Sequence, residues 1–226
     1  MRNGAAIIDS PPAAEQRVIL SNVSWDTFER LIADTGDHRR SRFAYDRGTL
    51  EIMSPQSRHE RCNWMLGYMF SILAEELGMD ILGLGTLTCR REDLERGLEP
   101  DNCFYTKNAA LFAAKNEIDL TVDLPPDVMI EIDISRSSLN KLPIYEGLQV
   151  AEVWRYNGDA ISFLVLAKGR FEDRLNSPTF PGWPLKREIP RFLAMPGSPM
   201  GVLRQFRAWV RKHKRLASKR ARGTLK

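Results

Sequence analysis

The segment DVMIEIDIS at residues 127–135 is the strongest constraint on how this chain folds. In an extended backbone Val128, Ile130, Ile132 and Ile134 fall on one side, and Asp127, Met129, Glu131, Asp133 and Ser135 on the other. The β-branched side calls for a packed core. The opposite side carries three carboxylates, so it is expected to be solvated, paired with cations or bound to a metal ion. Upstream, EPD at 99–101 sets Asp101 directly after Pro100, and proline is confined to sheet edges or to the first residue of a strand. Asp101 therefore stands near a strand start where a cleft can open. If the two strands are neighbours, Asp101, Glu131 and Asp133 meet at one sheet edge, where a divalent cation would offset their repulsion. Lys141 follows at or near the start of the next helix, with Pro143 tolerated in its first turn. An ammonium beside such an ion can orient a water or steady a developing oxyanion, which makes the group a candidate hydrolytic site. A plain solvated acidic face is the alternative.

Around this segment the chain reads as a loose leader at 1–16, one domain at 17–212 and a basic tail at 213–226. A short VIL strand precedes Ser24 and the amphipathic helix WDTFERLIADTG. RFAYDRGTLEIM predicts a hairpin turning through Asp46, Arg47 and Gly48. A longer helix is predicted over 57–77, with Trp64, Tyr68, Ile72 and Leu73 on its buried side and Gly78 as its cap. Strands at 81–89 and 101–105 flank REDLERGLE, a charged connector read as a surface turn, and NAALFAAKN is a short helix. Residues 140–150 form a helix on which Tyr145, four after Lys141, either packs or braces the lysine. Two strands then turn at Asn157-Gly158, with Trp154 and Tyr156 in the core. The closing helix buries Val202, Phe206 and Val210. Strands with interposed helices, then hairpins, predict a mixed α/β or α+β sheet.

The 226 residues suffice for one substantial core, and no apolar run reaches the roughly 18 residues of a membrane span. The N-terminus lacks the pattern of a signal peptide, so a cytoplasmic protein with no membrane partner is expected. Cys62, Cys89 and Cys103 are widely spaced, with no zinc-ligand spacing, and read as reduced thiols in or near the core. Charge is unevenly spread. Ten of the 33 Lys and Arg residues lie between Arg204 and Lys226, where no Asp or Glu occurs, so residues 1–203 carry 23 basic against 29 acidic side chains. Arg211, Lys212, Lys214 and Arg215 form a cluster that suits nucleic-acid phosphates, or else a solvated helix end.

GLEPDNCFY, followed by LPPDVMIEIDISRSSLNKLPIYEGLQVAEVWRY, resembles the Uma-two family of restriction-endonuclease-like proteins, a bacterial lineage of the PD-(D/E)XK nuclease superfamily. With MSPQSRHE upstream and the closing helix, the likeness covers most of residues 40–212. It implies a restriction-endonuclease-like mixed central sheet flanked by helices, with an N-terminal hairpin and a C-terminal basic helix. It further implies Mg²⁺- or Mn²⁺-dependent cleavage of DNA, with Asp101 and Glu131 as the carboxylate ligands, aided by the Ile132 carbonyl and Asp133. Asp133 stands where the superfamily carries its lysine; in this lineage the lysine migrates to the next helix, and Lys141 has that placement. Glu60 corresponds to an acidic residue often found near the site, with His59 beside it. Ser135, Ser137 and Ser138 are candidate helix caps or phosphate contacts. Cutting both strands of a duplex without a separate specificity domain implies a homodimer. The rival readings are a catalytically weak or inactive nuclease-fold module that binds nucleic acid, and a hydrolase of small phosphate esters.

Overall fold

The computed structural model describes residues 16–36, 41–134 and 139–223, with side chains followed to Lys214. The chain opens with strand β1 (Gln16–Leu20), helix α1 (Trp25–Thr35), the hairpin β2 (Arg42–Asp46) and β3 (Thr49–Ser54), and the long helix α2 (Ser57–Leu77). Strands β4 (Leu82–Gly85), β5 (Cys89–Arg91), β6 (Arg96–Leu98) and β7 (Asn102–Tyr105) follow, then helix α3 (Ala109–Phe112), strand β8 (Val128–Ile132) and helix α4 (Leu142–Gly147). Strands β9 (Glu152–Tyr156), β10 (Ile161–Ala167) and β11 (Arg170–Arg174) lead to helices α5 (Leu185–Leu193) and α6 (Pro199–Gly223). The fold is a mixed α+β arrangement of two sheets and six α-helices among the described residues, as the strand and helix pattern predicts.

The six-stranded sheet runs β11-β10-β9-β8-β7-β4, and the five-stranded sheet β1-β3-β2-β6-β5. All ladders are antiparallel except β8 with β9, where Glu131 sits opposite Arg155. A parallel pair needs a crossover, and α4 supplies it, packing against β2, β6 and β11. One face of the larger sheet is covered by α2, α5 and α6, with Leu66, Phe70, Ile130, Trp154, Phe163 and Phe206 in the core between them. Its other face meets α4 and the smaller sheet through Met129, Val153, Ile144, Tyr145, Leu98 and Cys103. The carboxylate side of β8 is therefore not a solvent face. All five of its residues are buried, because the crossover helix and the smaller sheet close over the side that alternation alone leaves open.

Local chemistry explains most elements. Ser24 accepts a hydrogen bond from the Thr27 N–H and caps α1, and Gly78 ends α2 in the left-handed conformation. Arg47 and Gly48 both have positive φ, the requirement of a two-residue hairpin turn. Four readings need correction. Trp64 and Tyr68 are 42% and 46% exposed and pack on each other, ring centroids 4.6 Å apart, while Met65, Leu66, Met69 and Phe70 take the buried side beside Ile72 and Leu73. REDLERGLE is not only a turn, since its end forms β6. The 81–89 segment divides between β4 and β5, which lie in different sheets, and the hairpin at Asn157-Gly158 continues into a third strand, β11. Val202, Phe206 and Val210 are buried as expected, as are Trp154 and Tyr156, and the three cysteines are free. Among the described residues no helix is long and apolar enough to cross a membrane.

Candidate functional site

Asp101 and Glu131 are brought together by the pairing of β7 with β8. The Asp101 N–H donates to the Ile130 carbonyl at 3.1 Å, and Asp101 Oδ2 accepts the Ile132 N–H at 2.8 Å, so this carboxylate is strapped to the β8 backbone. From α2, Asn63 Nδ2 donates to the Asp101 carbonyl at 2.9 Å and His59 Nε2 lies 3.2 Å from Asp101 Oδ2. His59 and Asn63 are four apart and share one helix face. Asp101 is 3% exposed. Burial raises its carboxyl, but His59, Lys141 and the Ile132 N–H together outweigh burial and hold it below the ordinary carboxylate range.

Glu131 is gripped from α4. Lys141 Nζ donates to Oε2 at 2.8 Å, and the Tyr145 hydroxyl donates to Oε1. Lys141 immediately precedes the helix and Tyr145 lies one turn on, so a four-residue spacing delivers both donors to one carboxylate. Tyr145 thus braces Glu131, not the lysine. Burial raises the Glu131 carboxyl, opposed by Lys141 and reinforced by Asp101. Burial would lower Lys141, but Glu131, Asp101 and Glu51 outweigh it and hold the ammonium above its ordinary value. Burial and the Glu131 charge push the Tyr145 phenol well up. At neutral pH the lysine is a cation and the tyrosine a neutral donor.

Beside this pair lies a cavity of about 240 Å³ lined by Arg17, Glu131, Asp133, Lys141, Tyr145 and Arg155, among others. Sequence reasoning missed Glu51 on β3, which is 1% exposed and 3.0 Å from Arg17. The available signal was a carboxylate inside the strand LEIM. Glu60 is placed differently from the other expected residues: its side chain is 47% exposed and 3.8 Å from Arg42, while neighbouring His59 turns to Asp101. The basic cluster is remote. Arg211 pairs with Glu76 at 2.9 Å and Lys214 donates to the Glu76 carbonyl, at the far end of α2, about 25 Å from His59 along that helix. Arg207 binds Glu75 and Glu76 at 2.8 Å, and Lys212 is exposed. Residues 1–15, Ser135, Ser137, Ser138 and the Arg215 side chain lie outside the described residues.

Among the described residues no three His, Cys, Asp or Glu side chains converge in a ready-made coordination shell. The donor set nevertheless fits a hard divalent ion. Asp133 Oδ1 is buried with no hydrogen-bond partner among the described residues, and Arg17 is 3.8 Å away. The described residues likewise give Asp101 Oδ1 no hydrogen bond, and two carboxylates with waters are what Mg²⁺ usually takes.

A family model, Uma2, described as a putative restriction endonuclease, matches residues 25–189. The chain belongs to the Uma2 family. That match spans β7, β8 and α4, so the likeness read from the EPD and EID segments is borne out. The Uma2 chain is also similar to a solved structure, a putative nuclease belonging to DUF820 from Anabaena variabilis ATCC 29413, at 13% identity and a TM-score of 0.46, covering 81% of this chain and 99% of that one. A search of curated proteins finds no match.

Proposed function

We propose that this Uma2 protein is a metal-dependent endonuclease of the cytoplasm that hydrolyses DNA phosphodiester bonds, working as a homodimer to cut both strands. The observation that carries the reading is the meeting of Lys141 with Glu131 at 2.8 Å, beside an Asp101 tied to the same strand end. Asp101 and Glu131, with the Ile132 carbonyl and Asp133, would hold Mg²⁺ or Mn²⁺. Such an ion, when bound, polarises a phosphate and lowers the pKa of an attacking water. Lys141 has three N–H donors and spends one on Glu131, so it can turn another to the oxygens where charge builds on the phosphate. Being held protonated, it donates and does not act as the base. The Tyr145 hydroxyl keeps the Glu131 carboxylate in place while Lys141 serves the substrate. Exposed and turned towards Arg42, Glu60 is given no step.

The second reading, a module that binds nucleic acid without cutting it, draws on a specific observation: both Glu131 oxygens already accept hydrogen bonds. Two measurements separate the readings. Mn²⁺ titration followed by electron paramagnetic resonance should show bound ion in the wild type and a loss in Asp101→Asn. A labelled duplex should be cut by the wild type in Mg²⁺ and not by that variant. Bound ion with an uncut duplex favours the module.

A further inference from the structure

A second cleft, of about 380 Å³, opens on the other face of the larger sheet, between the start of α2, the turn joining β9 to β10 and the junction of α5 with α6. Arg58 and Arg61 lie on its wall with Cys62, Tyr156 and Gly158, and among the described residues its lining contains no acidic side chain. Both arginines are exposed, and their side chains make no ion pair or hydrogen bond among the described residues. This contrasts with the C-terminal helix, where Arg207 and Arg211 are already committed to Glu75 and Glu76. The cleft also adjoins the candidate site. Arg58 directly precedes His59, the residue 3.2 Å from Asp101, and its guanidinium comes close to Gly158, as does Ile134, just past the ends of β9 and β8. On the opposite face of the same strand ends, Arg155 lines the catalytic cavity beside Glu131. Arg58 and Arg61 both act to lower the Cys62 thiol, although burial raises it more, so their charge is felt inside the cleft.

We propose that this cleft carries the phosphodiester backbone of the DNA strand entering or leaving the site, with Arg58 and Arg61 as its anion contacts, and that the basic C-terminal helix is not the principal contact. Charge selects the occupant. The first 203 residues carry an excess of acidic side chains, so a polyanion is repelled over much of the surface and drawn to an acid-free wall with free guanidiniums. The part of the apolar lining that reaches the surface, with Leu193, Met195 and Pro196, suits the sugars of that backbone. The proposal rests on the nuclease reading for its choice of ligand.

Binding of fluorescein-labelled DNA by anisotropy in EDTA tests it without turnover. Arg58→Ala/Arg61→Ala should weaken binding about tenfold and reduce the slope of log affinity against log salt by about 1.4 to 1.8, as expected for two lost phosphate contacts. Arg58→Lys/Arg61→Lys should recover most of the affinity, and Arg211→Ala/Lys214→Ala should stay within about twofold of wild type. Cys62 gives a second readout, since Cys89 and Cys103 are fully buried: DNA should slow its alkylation by iodoacetamide. The proposal is overturned if the wild type does not bind DNA, if the tail variant carries the loss, if the double alanine variant keeps its salt slope, or if Cys62 alkylates equally with DNA present. Poly-glutamate binding with the same arginine dependence would point to an acidic protein partner and overturn it too. A protein that binds DNA here yet leaves it uncut in Mg²⁺ fails the nuclease reading alone.

Discussion

Replacing Lys141 with alanine tests the buried pair on which the site is built. The ammonium lies 2.8 Å from Glu131 Oε2, with both side chains largely buried, so the variant leaves a carboxylate facing only the Tyr145 hydroxyl. Removing one partner of a buried pair costs about 3–5 kcal/mol. The adjoining cavity of about 240 Å³ admits water to the exposed carboxylate, which places the expected loss near the lower end, about 3 kcal/mol at neutral pH. The loss should also depend on pH. Burial already raises the Glu131 carboxyl, and Lys141 is the strongest influence against that rise. Without it the folded-state pKa climbs further above the unfolded one, and the unfolded chain sheds the proton first as pH increases. Urea unfolding should therefore show the variant within about 1 kcal/mol of wild type near pH 5 and about 3 kcal/mol below it near pH 8. Lys141→Met/Glu131→Gln should recover most of that loss, since it removes both charges. A loss under about 1 kcal/mol near pH 8, or an equal loss at both pH values, would refute the coupling.

Three further outcomes follow from the packing. Gly97→Ala sets a Cβ 2.8 Å from the buried Phe28 ring and should destabilise by about 1–3 kcal/mol, read as a lower melting temperature. Glu76→Gln releases Arg207 and Arg211 and should cost about 1 kcal/mol or less, shrinking in high salt. Because those arginines hold the Glu76 carboxyl below its ordinary value, the stability it contributes should be lost as the pH of a wild-type melt falls through the acid range. Trp154→Ala removes an indole packed against Phe70, Phe163 and Phe180 and should cost about 3–5 kcal/mol in urea unfolding.

The parts legible in the sequence were those written in local chemistry. Alternation gave β8, and Gly78 closed α2 where the helical pattern ran out. The proline before Asp101 and the position of Lys141 ahead of α4 allowed Asp101, Glu131 and Lys141 to gather, and the family likeness was what assigned them to one site. What stayed hidden depends on residues far apart in the chain. Burial of the second face of β8 requires a crossover helix and a separate sheet, and neither leaves a mark on residues 127–135. Glu51 becomes a site carboxylate through Arg17, on a strand paired in the other sheet. Strand β6 was masked by its charged flank and by Gly97, a residue that weakens strand propensity but is needed where the Phe28 ring lies close. Helix α2 carries two apolar stripes. The aromatic one holding Trp64 and Tyr68 looked like core, but the methionine and leucine stripe took that place. The basic tail was read as free charge because Glu75 and Glu76 are more than 130 residues from their partners.

The most direct test of the central claim is the conversion of supercoiled plasmid in Mg²⁺ by the wild type and by Asp101→Asn, which keeps an oxygen to accept the Ile132 N–H while removing the charge. With equal melting temperatures for the two proteins, the wild type should nick or linearise the plasmid, and the variant should be slower by at least about 100-fold, the scale of losing charge stabilisation at a metal centre. EDTA should abolish the wild-type rate. Equal rates for the two proteins, or cleavage that persists in EDTA, would contradict the assignment of Asp101, Glu131 and Lys141 as a metal-dependent nuclease site.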